Sequence, residues 1–182
     1  MITIKHIEVD GSAYIAARKI ISSFGKVRKI GEGSYGTVYG VVGSDVVYKI
    51  GNIEENEPYL AYIKLLSRKR KHNPYTPIIH DIKFIRNKNG RNEGYFIIAM
   101  EKLKEMTDEM NDIFPLFSYV LYHNRDISVF KENTIDVTKE LKDVITTLKK
   151  AYKSCVGWVS WDLHNGNFMR RDNQIVVIDP LS

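Results

Sequence analysis

The sequence predicts an α+β chain in which a sheet-rich first half is followed by a mainly helical second half. Between residues 26 and 100, short runs alternate apolar and polar residues and are broken by glycine-bearing turns, the pattern of half-buried strands. Between residues 107 and 153, apolar residues recur at three- and four-residue spacing, the pattern of amphipathic helices. A third observation locates the chemistry. Asp162 and Asn167 stand in a polar loop with four residues between them, and Asp179 ends the apolar run 175–178, a short buried strand.

Taken in order, residues 2–8 suit a short strand, with Ile2, Ile4 and Ile7 among polar neighbours. Asp10-Gly11-Ser12 is a turn with Ser12 as helix N-cap, and Tyr14, Ile15, Ala17, Ile21 and Phe24 suit one face of a helix over 13–24. Gly25 falls where a C-cap is expected, and the helix reads as a structural brace. Residues 26–30, 37–42 and 46–50 are strands, with Gly43-Ser44-Asp45 a tight turn. Residues 58–71 form a helix with Pro58 at its first position. Glu54, Glu55 and Glu57 crowd its start, and Arg68-Lys69-Arg70-Lys71 its end, both matched to the helix dipole. That basic run is a solvated helix end or a dock for an acidic partner or nucleic acid. Residues 81–86 and 94–100 are strands around a polar hairpin loop at 87–93. Helices follow over 107–123 and 136–153.

The expected division is a strand and helix extension at 1–25, a sheet lobe at 26–100, and a hinge with a minimal helical lobe at 101–182. The chain is 43% hydrophobic and 27% charged, a globular balance, with net charge +5. No apolar run approaches the roughly 20 residues that span a bilayer, and the N-terminus lacks a signal-peptide core, so a cytoplasmic protein without membrane contact is expected. Cys155 is the only cysteine, a small core residue that suits a reducing compartment.

Two stretches carry chemistry. In Gly31-Glu32-Gly33-Ser34-Tyr35-Gly36, three glycines let backbone amides approach phosphate oxygens. The motif lies between two strands, which excludes the dinucleotide fingerprint that must open a helix. Lys49 sits in an apolar strand, sharing a face with Val47 or pointing outward from an edge. Downstream, Asp162 can orient or take the proton of an attacking hydroxyl, while the Asn167 carboxamide and Asp179 can hold magnesium on nucleotide phosphates.

Gly-x-Gly-x-x-Gly-x-Val at 31–38, the strand lysine at 49, Asp-x-x-x-x-Asn at 162–167 and Asp179 together resemble the protein-kinase-like superfamily, over roughly residues 26–182. Ser160 to Met169 and Ile178-Asp179-Pro180 look most like the early serine/threonine protein kinase of small lytic podophages. The resemblance implies a bilobal protein-kinase-like fold, an antiparallel sheet lobe plus a truncated helical lobe, in a virus-encoded enzyme using ATP and Mg2+ on host or viral proteins. By the same resemblance the 31–36 loop, Glu32 and Ser34 included, covers the phosphates, and Val38 and Val47 pack on adenine. Lys49 pairs with phosphates and with a helix carboxylate, Glu57, with Glu55 as runner-up. Met100, Glu101 and Leu103 belong to the hinge, Asp162 is the catalytic base, and Asn167 and Asp179 are the metal ligands.

The departures shape the alternatives. Ser160-Trp161 replaces the usual His-Arg, which argues against control by a phosphorylated activation loop. No activation segment follows Asp179 within the 182 residues, so a truncated chain is expected, or a minimal kinase completed by a partner or a second copy. The alternatives are a small-molecule phosphotransferase of the aminoglycoside or choline kinase type, and a nucleotide-binding pseudokinase acting as an inhibitory module. Nucleic acid is not an expected partner, because the basic residues are not interleaved with stacking aromatics.

Overall fold

A computed structural model describes residues 2–34, 36–69, 71–90, 93–108, 114–132, 138–155 and 158–182. The fold is α+β and divides into two units, Met1–Glu57 with Ile78–Lys102, and Pro58–Pro77 with Leu103–Ser182. Residues 1–25 belong to the sheet unit, and residues 58–77, expected with the sheet lobe, count with the second unit.

In the first unit, β1 (Thr3–Val9), β2 (Val27–Gly33), β3 (Gly36–Val41), β4 (Val46–Asn52), β5 (Ile79–Asn87) and β6 (Gly94–Glu101) form one sheet in the order β1-β5-β6-β4-β3-β2. Every pair from β5 to β2 is antiparallel. β1 runs parallel to β5, so the expected antiparallel sheet is in fact mixed. The reason is burial. This register sets Ile7 beside Ile85, where Ile7 and Val9 join the apolar cluster packed by α1 (Ala13–Ser22). Ala13, Ala17 and Ile21, four apart on that helix, pack with Tyr39, Ile50, Ile85 and Ile97. The four-residue row leaves Tyr14 and Ile15 exposed, and Phe24 with them, contrary to the face drawn from the sequence. Ser12 caps α1 as expected, its hydroxyl accepting from the Ile15 amide. The helix braces the sheet, and Arg18 reaches over the Tyr39 ring to its hydroxyl at 2.8 Å.

In the second unit, α2 (Glu57–Ser67), α3 (Phe114–Tyr122), α4 (Ser128–Glu132) and α5 (Lys139–Ser154) accompany a hairpin of β7 (Phe168–Arg171) and β8 (Gln174–Val177). Helix α3 falls within the 107–123 expected, and Met110, Ile113 and Val137 lie outside the described residues, as does Arg70. Thr138 caps α5, whose Leu141, Val144, Ile145, Leu148 and Ala151 are buried. Phe117 lies among the rings of Tyr75, Phe130 and Phe168. The Tyr62 hydroxyl donates to the Val177 carbonyl at 2.9 Å, tying α2 to β8. Past the end of α2, Lys69 donates to Asp143 and Thr147 of α5, and buried Asn73 donates to Asp143 and to the Glu140 carbonyl. Among the described residues no helix is long and apolar enough to cross a membrane.

Two predictions test this packing. A Cβ on Gly36 would lie 2.6 Å from the Ile50 carbonyl oxygen, so Gly36→Ala is expected to cost about 1–3 kcal/mol in urea unfolding, as over-packing does. Burial works to raise the Asp143 carboxyl, but its hydrogen bonds from Lys69 and Asn73 outweigh burial and hold it below the ordinary value. A depressed carboxylate contributes stability above its unfolded pKa and loses it as pH falls through the folded value. Wild type should therefore lose more stability than Asp143→Asn on acidification below about pH 4, measured by urea melts.

Candidate functional site

The first unit gathers the glycine hairpin and Lys49 on one sheet face. Register pairs Gly31 with Val38, Gly33 with Gly36, Val38 with Lys49, Lys49 with Ile98, and Val47 with Met100. Directly paired residues share a face, and so do residues two apart along a strand. Gly31, Gly33, Gly36, Val38, Val47, Lys49, Ile98 and Met100 therefore lie on the face opposite the α1 cluster. Lys49 is 9% exposed, which answers the choice left open above: it is not a solvent-facing edge lysine. Its Cε lies 3.4 Å from where a Cβ on Gly36 would stand. The Lys49 side chain therefore lies under the glycine hairpin, on the same face as its three glycines.

The three glycines differ in what requires them. Gly36 is demanded by the Ile50 carbonyl. A Cβ at Gly33 would meet nothing within 4 Å, and one at Gly31 only ordinary contact with Val38 at 3.8 Å. Neither residue has the positive φ that would call for glycine. Glu32 is exposed and paired with Lys29, Ser34 is exposed at the tip, and Tyr35 lies outside the described residues. Past Met100, the Glu101 amide donates to the Ile78 carbonyl at 3.0 Å and the Lys102 amide to Asp45 at 2.7 Å, which commits both to the protein's own backbone. Leu103 is half-buried and begins the second unit's share of the chain.

The acids expected near Lys49 sit at an exposed corner. The Asn52 carboxamide oxygen accepts the Glu54 and Glu55 amides, opening a single 3-10 turn over Glu54–Asn56 that leads into α2. Glu57, in the first turn of α2, and Glu55 are both exposed.

In the second unit, hydrogen bonds bring Asp162, Asn167 and Asp179 onto one frame. Ser160 and Ser182 exchange backbone bonds, Trp161 bridges Leu181, and the Asp162 amide donates to the Pro180 carbonyl at 2.9 Å. The Ile178 amide donates to the Asn167 carbonyl at 2.9 Å. The Asn167 side-chain nitrogen donates to the Asp162 carbonyl at 2.7 Å. Asp179 is thus held between a residue bound to Asn167 and one bound to Asp162. From α2, the fully buried phenols of Tyr59 and Tyr62 are pushed up by burial and further by the Asp179 charge.

His164 and Gly166 are functional residues that the sequence reading missed. The His164 ring folds over Gly166, where a Cβ would lie 2.9 Å from its Cε1, so a side chain there would push the ring from this position. The Gly166 amide donates to His164 Nδ1 at 3.1 Å, which makes Nδ1 the bare nitrogen and puts the ring proton on Nε2. Nε2 stands 3.4 Å from Asp162 Oδ1 and 3.1 Å from the Asn167 side-chain nitrogen. The His-x-Gly-Asn spacing was the available signal. Trp161 is also fixed, its ring stacked on Tyr152 at 4.7 Å and its carbonyl accepting the Tyr122 hydroxyl at 2.6 Å.

For a metal, the fit lies in atom types. The Asn167 nitrogen is committed to Asp162, its oxygen is a donor of the type a hard cation takes, and Asp179 carries carboxylate oxygens. Oxygen donors suit magnesium, which keeps several waters and needs few protein ligands. Among the described residues no group of three or more His, Cys, Asp and Glu converges as a metal cluster. Comparison of the chain with protein-family models and with curated proteins finds no match.

Long-range proton–nitrogen NMR in alkaline buffer should show His164 with a bare Nδ1 and a protonated Nε2. The opposite tautomer would sink the hydrogen bond from the Gly166 amide to His164 Nδ1.

Proposed function

We propose that this protein is an ATP- and magnesium-dependent protein kinase, acting on serine or threonine hydroxyls of host or viral proteins as a virus-encoded enzyme. The observation that carries the reading is the glycine face. Gly31, Gly33, Gly36 and buried Lys49 share one side of the sheet, and two of those glycines have no packing reason to lack a side chain. Close approach of phosphate oxygens to backbone amides supplies that reason, and an ammonium beside them complements the charge.

In this reading the Gly31–Gly36 hairpin and Lys49 bind and orient the ATP phosphates. Asp162, with His164 Nε2 beside its carboxylate and its own amide hydrogen-bonded to the Pro180 carbonyl, accepts a hydrogen bond from the acceptor hydroxyl and takes its proton as the oxygen attacks the γ-phosphorus. The bond from that phosphorus to the β,γ-bridging oxygen breaks, and ADP leaves. Asn167 and Asp179 would hold magnesium, which when bound neutralises phosphate charge. Such transfer rests on positioning and electrostatics, and the rigid 162–167–180 frame supplies positioning without covalent chemistry.

The test is incubation of the chain with γ-labelled ATP and magnesium, alone and with bacterial lysate. Labelled protein is expected, with Asp162→Asn slower by about 10²–10⁴ while ATP binding persists, the loss of a general base. Gly33→Val should leave the unfolding midpoint unchanged yet weaken magnesium-ATP binding at least about tenfold, the loss of one hydrogen bond to a charged oxygen. Tight nucleotide binding without protein label would favour a small-molecule phosphotransferase or a binding module. Unchanged affinity in Gly33→Val would remove the main support for a phosphate cradle.

A further inference from the structure

Helix α5 carries a single-signed face. At about 100° per residue, Lys139, Lys142, Lys149, Lys150 and Lys153 fall within an arc of about 100°, on the side away from its buried row. Four of the five are exposed and Lys149 is half-buried. Asp143 stands at the edge of that arc and is already held by Lys69 and Asn73. Glu140 lies outside it, and the remaining arc position is Thr146. The end of α2, fastened to α5 through those contacts, adds exposed Arg68 and Lys71.

An ordinary solvated helix mixes signs so that neighbours three and four apart attract. Here Lys139 and Lys142, Lys149 and Lys153, and Lys150 and Lys153 are like-charged neighbours at those spacings, which costs helix stability. A polyanion laid along the face would offset that repulsion.

We propose that the lysine face of α5 docks the phosphate backbone of a nucleic-acid duplex without reading its bases. From Lys139 to Lys153 the face runs about 21 Å, along which a duplex presents roughly a dozen phosphates. The residue types favour this partner over an acidic protein segment. The arc holds no apolar or aromatic side chain to anchor a peptide. The same lack of aromatics excludes base stacking on single strands, which is the sense in which the sequence argued against a nucleic-acid module. Backbone docking needs only the charge. The inference stands apart from the phosphoryl-transfer reading and survives its failure.

The test is fluorescence anisotropy of a labelled duplex of about 20 base pairs, long enough to span the face, with the whole chain over a salt series. Binding is expected, with a slope of log Kobs against log salt of about −3 to −5. The triple variant Lys142→Gln, Lys150→Gln, Lys153→Gln should flatten the slope by about 2–3 and weaken binding more than about tenfold at low salt. If that variant loses helicity by circular dichroism, Lys150→Glu alone carries the test with the same direction. Lys26→Gln with Arg28→Gln, at the start of β2 in the other unit, should change nothing. The proposal is overturned by an absence of binding, by salt-insensitive binding or by equal binding of the triple variant. Displacement of the duplex by polyglutamate at equal charge concentration also overturns it and assigns the face to an acidic protein.

Discussion

Three hydrogen bonds hold the loop end of the second unit together: Asp162 amide to Pro180 carbonyl, Ile178 amide to Asn167 carbonyl, and Asn167 side chain to Asp162 carbonyl. They close a ring through residues that are separated in sequence but need a common frame. Asp179 has no freedom to leave it, because both of its neighbours are bonded. Loss of one bond would cost only about 1 kcal/mol in stability. The geometric consequence is larger, since a displacement of an ångström at a reacting group can cost orders of magnitude in rate.

The ring stands because packing supports it from several sides. The Tyr62 hydroxyl holds the Val177 carbonyl, one residue before Ile178, and the Tyr75 carbonyl takes the Val177 amide. Stacking on Tyr152 and the Tyr122 hydroxyl fix Trp161, the residue before Asp162. His164 covers Gly166 and sets its Nε2 beside the Asp162 carboxylate. Each contact comes from a different element, α2, α3, α5 or the loop itself, so the frame is a product of the whole unit.

The first unit solves a different problem, which is to bury one face of the sheet while keeping close backbone approach on the other. Helix α1 covers Tyr39, Ile50, Ile85 and Ile97 with Ala13, Ala17 and Ile21, small and aliphatic residues that let the helix lie near the strands. Period-two alternation then leaves the glycines and Lys49 on the opposite side. One residue of register slip in β3 or β4 would exchange the two sets, so the burial of Ile50 and Tyr39 is also what aims Lys49.

The sequence by itself determined the local order: the strands around the glycine motif, the capped helix α1, the amphipathic helix α5, and the residue types at 31–36, 49, 162–167 and 179. Local order is legible because period and capping act within a few residues. Tertiary structure alone decided what depends on distant partners. The sequence reading drew an antiparallel sheet, yet β1 pairs parallel to β5, because Ile7 and Val9 find their apolar surface there. It put Tyr14 on the covered face of α1, but the alanine row packs closer. It passed over His164, whose role appears only when the chain folds back to set its ring on Gly166 and its Nε2 toward Asp162. It saw Lys69 as part of a charged run, but contact with Asp143 and Thr147 makes it a fastening between α2 and α5. These are long-range hydrogen bonds and packing choices, and no window of neighbouring residues contains both partners.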